Sequence, residues 1–255
     1  MLKNLLDILL AAGEKMLRFD RPEAYQKEGH ANFVTQADIE VQAFLMGELL
    51  KAAPEAAFYA EEKENGMLTD APTFMIDPID GTTNFMRGRK CSCISVALLI
   101  DREPLLAAVL NPYTGELFHA EKGKGAYMNG RPIHVSRQGF PHALVSFGTS
   151  PYDSALAGKT MKAAEEFLLA AGDLRRTGSA AIDLCDVACG RSDIYWELIL
   201  SPWDFAAGAL IVMEAGGLTG NPGRGKLCYD QKTPVLAANP LCFEQAEEIL
   251  MAAMV

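Results

Sequence analysis

Thr73-Phe-Met-Ile-Asp77-Pro-Ile-Asp80-Gly-Thr82-Thr-Asn84-Phe85 is an apolar run that ends in acid, proline, acid and glycine. Phe74, Met75 and Ile76 read as a buried strand. Pro78 removes a ladder donor and pushes Asp77 into an extended conformation, so the strand is expected to end there and the chain to turn. In α/β sheets, ligands bind outside the carboxyl ends of the strands. The turn presents Asp77 and Asp80 with the Ile79 carbonyl between them, and the Gly81-Thr82 step is expected to open a helix whose unpaired N–H groups favour an anion. Two such carboxylates repel unless something positive lies between them. A pair of hard divalent cations roughly 3.5–4 Å apart would satisfy them and would clamp an in-line displacement at phosphorus. An acidic turn before a capped helix explains the same residues equally well, so the rest of the chain has to decide.

Composition narrows the classes. The chain has 255 residues, 49% hydrophobic and 22% charged, enough for a sizeable core in one large unit or two intimately packed halves. No apolar run reaches the ~18–20 residues needed to cross a bilayer, and Lys3, Asp7, Glu14 and Lys15 interrupt the Leu-rich N-terminus at helical spacing. That segment reads as an amphipathic helix rather than a signal peptide, and no membrane association is expected. A net charge of −10 argues against nucleic-acid binding and offers no general attraction for a phosphorylated ligand, so any anion has to be drawn in locally, by metal. The six cysteines form no CxxC pair, which is the pattern of reduced thiols in a cytoplasmic protein, and none of the four histidines has a metal-binding context. Cys91 and Cys93, two apart in an expected strand, read as small core residues rather than zinc ligands. The chemistry is expected to be run by carboxylates.

Leu2, Leu5, Leu6, Leu9, Leu10, Met16 and Leu17 follow helical spacing, and Phe19 to Glu28 reads as a polar connection. A second helix follows, with Thr35 as N-cap and Asp38 in its first turn. Ala56 to Ala60 is a short strand running into Glu61-Glu62, again acid at a strand's end. From Cys93 to Glu121 the pattern is an antiparallel meander, with turns at Asp101 to Pro104 and Asn111-Pro112. Lys122-Gly-Lys-Gly125 resembles a phosphate loop in composition, but it lacks the strand-to-helix setting and reads as a hairpin turn. From about residue 140 onward strands and helices alternate, which indicates an α/β half. The division expected is 1–140, with the antiparallel sheet and the acids of the opening stretch, and 141–255, the two forming one compact unit.

Pro202-Trp203-Asp204 is a second signal, because Pro202 suits a first helical turn and Asp204 then projects from it. By itself Asp204 reads as complementing the helix dipole. Together, Glu61, Asp77, Asp80 and Asp204 would supply the oxygen ligands of a two- or three-magnesium site, each at the edge of a rigid element. Phe74 to Arg87 and Trp203 to Gly217 resemble the two signature motifs of the inositol monophosphatase family. Phe33 to Asp38, Ala60-Glu-Glu62 and Arg175-Arg-Thr-Gly-Ser-Ala-Ala181 are similar to its other landmarks, in the same order and at the same spacing. The resemblance implies a magnesium-dependent, lithium-inhibited phosphomonoesterase with a layered α-β-α-β-α sandwich of the inositol monophosphatase and fructose-1,6-bisphosphatase type, usually a homodimer.

Carried over residue by residue, the resemblance makes Glu61, Asp77 and the Ile79 carbonyl ligands of a first Mg²⁺, and Asp77, Asp80 and Asp204 ligands of a second. Glu61 would also reach a third ion. Gly81 and Thr82 would hold the phosphate, Asp38 and Thr82 would orient and deprotonate the attacking water, Glu197 would bind substrate hydroxyls, and Ala180 would line the pocket. Asn32, Ile199 and Ser201 depart from the family pattern, which leaves the substrate in doubt. The Cys185 to Ser192 stretch has the spacing of a cysteine-dependent phosphatase loop, but its apolar periodicity makes a helix and nothing nearby activates the thiol. The reading that results is hydrolysis of a small phosphorylated polyol or sugar, foremost inositol 1-phosphate. Fructose 1,6-bisphosphate, histidinol phosphate and adenosine 3′,5′-bisphosphate are alternatives on the same fold, and a regulatory binding protein is the non-enzymatic one.

Overall fold

A computed structural model describes residues 1–19, 24–26 and 33–254. Asn32 and most of the expected polar connection lie outside the described residues. In chain order the elements are α1 (Leu2–Met16), β1 (Ala24–Gln26), β2 (Phe33–Thr35), α2 (Gln36–Ala52), β3 (Ala57–Ala60), β4 (Thr73–Asp80), α3 (Thr82–Met86), β5 (Cys93–Ile100), β6 (Glu103–Asn111), β7 (Glu116–Glu121), β8 (Ala126–Met128) and β9 (Arg131–Ile133). They continue with β10 (Leu144–Phe147), α4 (Ala157–Ala170), β11 (Asp173–Arg175), α5 (Ala180–Ala188), β12 (Ile194–Leu200), α6 (Pro202–Glu214), β13 (Leu218–Gly220), β14 (Thr233–Ala238) and α7 (Phe243–Met254).

Three apolar clusters stack these elements into layers. Leu5, Leu9 and Met16 of α1 and Val41, Leu45 and Leu49 of α2 pack on Phe74, Ile76, Ile94 and Val96, one face of a seven-stranded sheet ordered β3-β4-β5-β6-β7-β8-β9. Its other face, with Met75, Ala97 and Val109, meets Leu184 of α5 and Phe205 and Leu210 of α6, which in turn meet Tyr195, Val235 and Ala237 of a five-stranded sheet. That second sheet, ordered β11-β10-β12-β14-β13, is covered on its far side by α4 and α7 through Phe167, Trp196, Leu236 and Leu250. The order is therefore helix pair, sheet, helix pair, sheet, helix pair: the α-β-α-β-α sandwich that the family resemblance implies. The middle helices are apolar almost all round, because each is buried on both sides.

Two local expectations need correction. The opening strand does not end at Pro78; β4 runs to Asp80 and is buried throughout. Pro78 is tolerated because pairing with β3 stops at Ala60 and Ile76, so its missing N–H has no ladder partner on that side, while on the other side the register with β5 slips between Asp77 and Asp80. The turn comes at Gly81, whose φ of 85° is left-handed and whose added Cβ would stand 3.1 Å from the Cys91 and Gly178 carbonyl oxygens. Of the cysteine pair, Cys93 begins β5, whereas Cys91 precedes it. Lys122-Gly-Lys-Gly125 does form the turn between β7 and β8, and its N–H groups do cradle an anion, one supplied by the chain itself: Gly123 and Gly125 donate to the Glu214 carboxylate at 2.7 and 2.8 Å.

Candidate active site

The bulge in β4 makes the site. In a regular strand residues three apart face opposite sides, so Asp77 and Asp80 would diverge. Asp77 pairs with Ser95 and Asp80 with Cys93, so β4 carries one residue more than β5 over this step, and the slip returns Asp80 to the α5 side of the sheet while Ile79 turns to the α1/α2 side. Asp80 then meets the start of α5: the Ser179 hydroxyl and the Ala181 N–H donate to Oδ2 at 2.6 and 2.7 Å, and the Ala180 N–H to Oδ1 at 3.3 Å. Asp77 Oδ1 accepts the Ile79 N–H at 3.0 Å. Asp204 is the third helical residue of α6 and accepts the Ser201 N–H at 2.8 Å, as a capping-box acid does. Asp38 has the same relation to α2, its Oδ2 accepting the Thr35 N–H at 2.8 Å. The first-turn positions read for these two acids are thus observed, and the capping hydrogen bonds fix where the carboxylates stand.

Glu61, Asp77, Ile79, Asp80, Gly81, Thr82, Ala180, Glu197 and Asp204 line one cavity of about 320 Å³. Asp38 is reached from it through Thr82, whose hydroxyl lies 3.4 Å from Asp38 Oδ1 and 3.2 Å from the Ile79 carbonyl oxygen. Burial pushes Asp77 and Asp204 well above the usual carboxylate range, and the charges of Glu61 and Asp80 push both the same way. Burial also raises Asp80, against the pull of its Ser179, Ala181 and Ala180 donors. Among the described lining residues Arg176 is the one basic side chain, and it donates to the Thr149 hydroxyl at 3.1 Å. Buried carboxylates gathered with so little positive charge fit a cation-binding site. The donors are hard oxygens without thiolate or imidazole among them, which suits magnesium rather than zinc. The acids ring the cavity rather than close on one point: among the described residues no three form a tight ligand shell.

Residues 6–254 match the inositol monophosphatase family. The chain belongs to that family. Inositol monophosphatase family members are phosphatases of phosphate monoesters, and their reaction depends on magnesium. An inositol-1-monophosphatase of Synechocystis sp. is 37% identical over 264 residues, covering 94% of this chain and 89% of that protein. The crystal structure of the extragenic suppressor protein SuhB from Bartonella henselae has a TM-score of 0.91 at 32% identity and covers 97% of both chains. An inositol monophosphatase from Anabaena (Nostoc) sp. has a TM-score of 0.87 at 31% identity, covering 98% of this chain and 95% of that one.

The rejected cysteine motif is a helix here, as its periodicity indicated. Cys185 is buried in α5, burial raises its thiol pKa well above the ordinary value, and Arg191 is turned to Glu116 and Asp186. Ile199 and Ser201, two of the positions departing from the family pattern, line a separate cavity of about 220 Å³ with Tyr152, Asp153 and Lys232. Sequence reasoning missed Ser179, Ser150 and Tyr195. Tyr195 precedes Glu197 by two on β12 and so shares its face, a signal open to inspection. Ser179 and Ser150 reach the site only through loop geometry, which has no sequence period.

Proposed function

We propose that this protein hydrolyses a small phosphorylated polyol, foremost inositol 1-phosphate, with two to three Mg²⁺ ions. The observation that carries the reading is the ring of Glu61, Asp77, Asp80 and Asp204 around a cavity whose one basic side chain among the described residues is Arg176. An anionic substrate has no reason to enter such a cavity unless cations fill it. Glu61, Asp77 and the Ile79 carbonyl would hold one ion, Asp77, Asp80 and Asp204 a second, and Glu61 would reach a third. Bound there, magnesium lowers the pKa of water and offsets charge on the phosphoryl oxygens.

The chain's own residues do the rest. The first N–H groups of α3, following Gly81, have no partner within the helix and can receive phosphate oxygens together with the Thr82 hydroxyl. That hydroxyl has one hydrogen and two acceptors in reach, the Ile79 carbonyl and Asp38. When the hydrogen turns to Asp38, the Thr82 oxygen presents a lone pair to the cavity and accepts the proton of an attacking water, with Asp38 as terminal base. Attack is in a single step, without a phosphoenzyme. Glu197 accepts a hydroxyl of the alcohol, and Ala180 forms part of the wall.

A bisphosphate substrate is disfavoured because, among the described residues lining the cavity, Arg176 is the one basic side chain that could serve a second phosphate. The regulatory-protein alternative is disfavoured because the acids, Thr82 and Asp38 form a complete set that binding alone would not need. Inhibition by Li⁺, a homodimeric assembly and a cytoplasmic location complete the reading; the first two rest on the family resemblance and the third on the pattern of the cysteines. Free phosphate release from a panel of polyol, sugar and nucleotide phosphates, with Mg²⁺ and with a chelator, is the test. Turnover that survives chelation, or no release from any polyol phosphate, would overturn it.

A further inference from the structure

Glu197 is buried, and its surroundings hold its carboxylate from three directions. The Ser150 N–H donates to Oε1 at 2.7 Å, the Ser150 hydroxyl lies 3.0 Å from the same oxygen, and the Tyr195 hydroxyl donates to Oε2 at 2.8 Å. Gly148 packs against the carboxyl group, and an added Cβ there would stand 1.7 Å from Oε2. The Gly148 N–H is tied to the Trp196 carbonyl at 3.0 Å, which extends the β10–β12 pairing into the loop, and Ser150 then adopts a left-handed φ of 41°. A residue other than glycine keeps that conformation only where its surroundings over-determine it. Here the left-handed turn accompanies a main-chain N–H aimed at Glu197.

A carboxylate has about four accepting positions, two on each oxygen. The Ser150 N–H fills one on Oε1. The Ser150 oxygen occupies the other whichever way its hydrogen turns, since its alternative acceptor, the Ile199 carbonyl, is 3.1 Å away and leaves the hydroxyl oxygen in place. Tyr195 fills one on Oε2. Among the described residues one position remains without a donor, on Oε2.

We propose that Tyr195 and Ser150 are positioning residues that fix Glu197 with a single accepting position open, so that this carboxylate reads one hydroxyl of the substrate alcohol and no more. The proposal rests on the phosphatase reading above and deepens it. It places substrate selectivity in a contact between β12 and the loop after β10, away from the acids around β4.

The test compares inositol 1-phosphate with 4-nitrophenyl phosphate, which has no hydroxyl to read, in wild type, Tyr195→Phe, Ser150→Gly, Glu197→Gln and the Tyr195→Phe/Glu197→Gln double variant, all with Mg²⁺. Tyr195→Phe is expected to raise KM for inositol 1-phosphate about three- to tenfold more than for the aryl ester, with kcat on the two changing in parallel. In the Glu197→Gln background the same substitution should add less than about twofold, because the pair acts as a unit. Ser150→Gly keeps the left-handed backbone and its N–H while removing the hydroxyl, so it should show a smaller selective rise than Tyr195→Phe. Against monodeoxy analogues of the substrate, Glu197→Gln should abolish the KM penalty at one ring position only.

Equal KM changes on both esters, independent effects in the double variant, or two ring positions responding would refute the proposal. Wild-type protein that released phosphate from neither ester would instead refute the phosphatase reading.

Discussion

Asp38→Asn separates water activation from metal binding, and the structure makes it a clean substitution. Asp38 Oδ2 accepts the Thr35 N–H at 2.8 Å, while Oδ1 faces the Thr82 hydroxyl at 3.4 Å. An asparagine has one oxygen and one NH₂ group to place. With its oxygen at the Oδ2 position the cap of α2 survives; the reverse placement would set NH₂ against the Thr35 N–H, a clash of donors in a fully buried site costing about 1–3 kcal/mol. The first placement therefore wins and points NH₂ at Thr82. The Thr82 hydroxyl must then accept from Asn and send its own hydrogen to the Ile79 carbonyl at 3.2 Å. No acceptor for a proton passed through Thr82 remains. The expected loss in kcat is about 10²–10⁴-fold, or roughly 2.7–5.4 kcal/mol of barrier. Because the cap is kept, stability should change by less than about 1 kcal/mol, which for a chain of this size is at most about 2–4 °C in Tm. Initial rates on inositol 1-phosphate across a magnesium titration, with thermal melts in parallel, measure all three quantities. The magnesium midpoint should hold, and Thr82→Ala should cost about as much as Asp38→Asn while the double variant costs little more. A large shift of the midpoint, or losses that multiply in the double variant, would refute the assignment of Asp38 and Thr82 as a proton-transfer pair.

Metal and pH should act together on stability. Asp77, Asp80 and Asp204 are raised by burial in the folded protein, so above the unfolded carboxylate range the folded state binds more protons than the unfolded one, and stability in chelator should fall as pH rises from about 4 toward neutrality. Millimolar Mg²⁺ should reverse that slope and raise Tm near pH 7; a Tm in chelator that climbs from pH 5 to 7 would contradict the uncompensated-acid reading. Gly148→Ala forces Glu197 out of its cage, since the new Cβ would lie 2.0 Å from its carboxyl carbon, and should cost about 2–5 kcal/mol in a melt while removing selectivity for polyol over aryl phosphates. Unchanged selectivity would mean that Glu197 does not read the alcohol. Alkylating the accessible thiols should leave most turnover intact, because Cys93 and Cys185 are buried and burial keeps their thiols protonated; loss of activity in step with modification of Cys185 would revive a thiol mechanism.

Much of this protein is legible in its sequence because the relevant signals are local or periodic. Helical spacing of Leu5, Leu9 and Met16, capping by Thr35, Pro202 in a first helical turn, and a run of strands from Cys93 onward depend on neighbours within a few residues, and each corresponds to an element of the structure. Glu61, Asp77, Asp80 and Asp204 are conspicuous as acids at the ends of apolar elements, but a turn or a helix dipole explains each one singly, and their shared role comes from the family resemblance. What no local rule contains is the direction in which those acids point. A spacing of three in a regular strand parts Asp77 from Asp80, and ending the strand at Pro78 is the local rule's only way to bring them together. The structure resolves it by keeping the strand and slipping its register against β5, which depends on β3 ending at Ala60 and on the partner residues Ser95 and Cys93, all far along the chain from Pro78 or on another strand. The cage around Glu197 is the same kind of fact. Its members come from β12 and from a loop some 47 residues earlier, and their convergence exists only once two strands have paired. Hydrophobic period and capping chemistry are properties of the chain; which lone pair of a buried carboxylate is left open is a property of packing, because it is set by donors that only the folded sheet brings together.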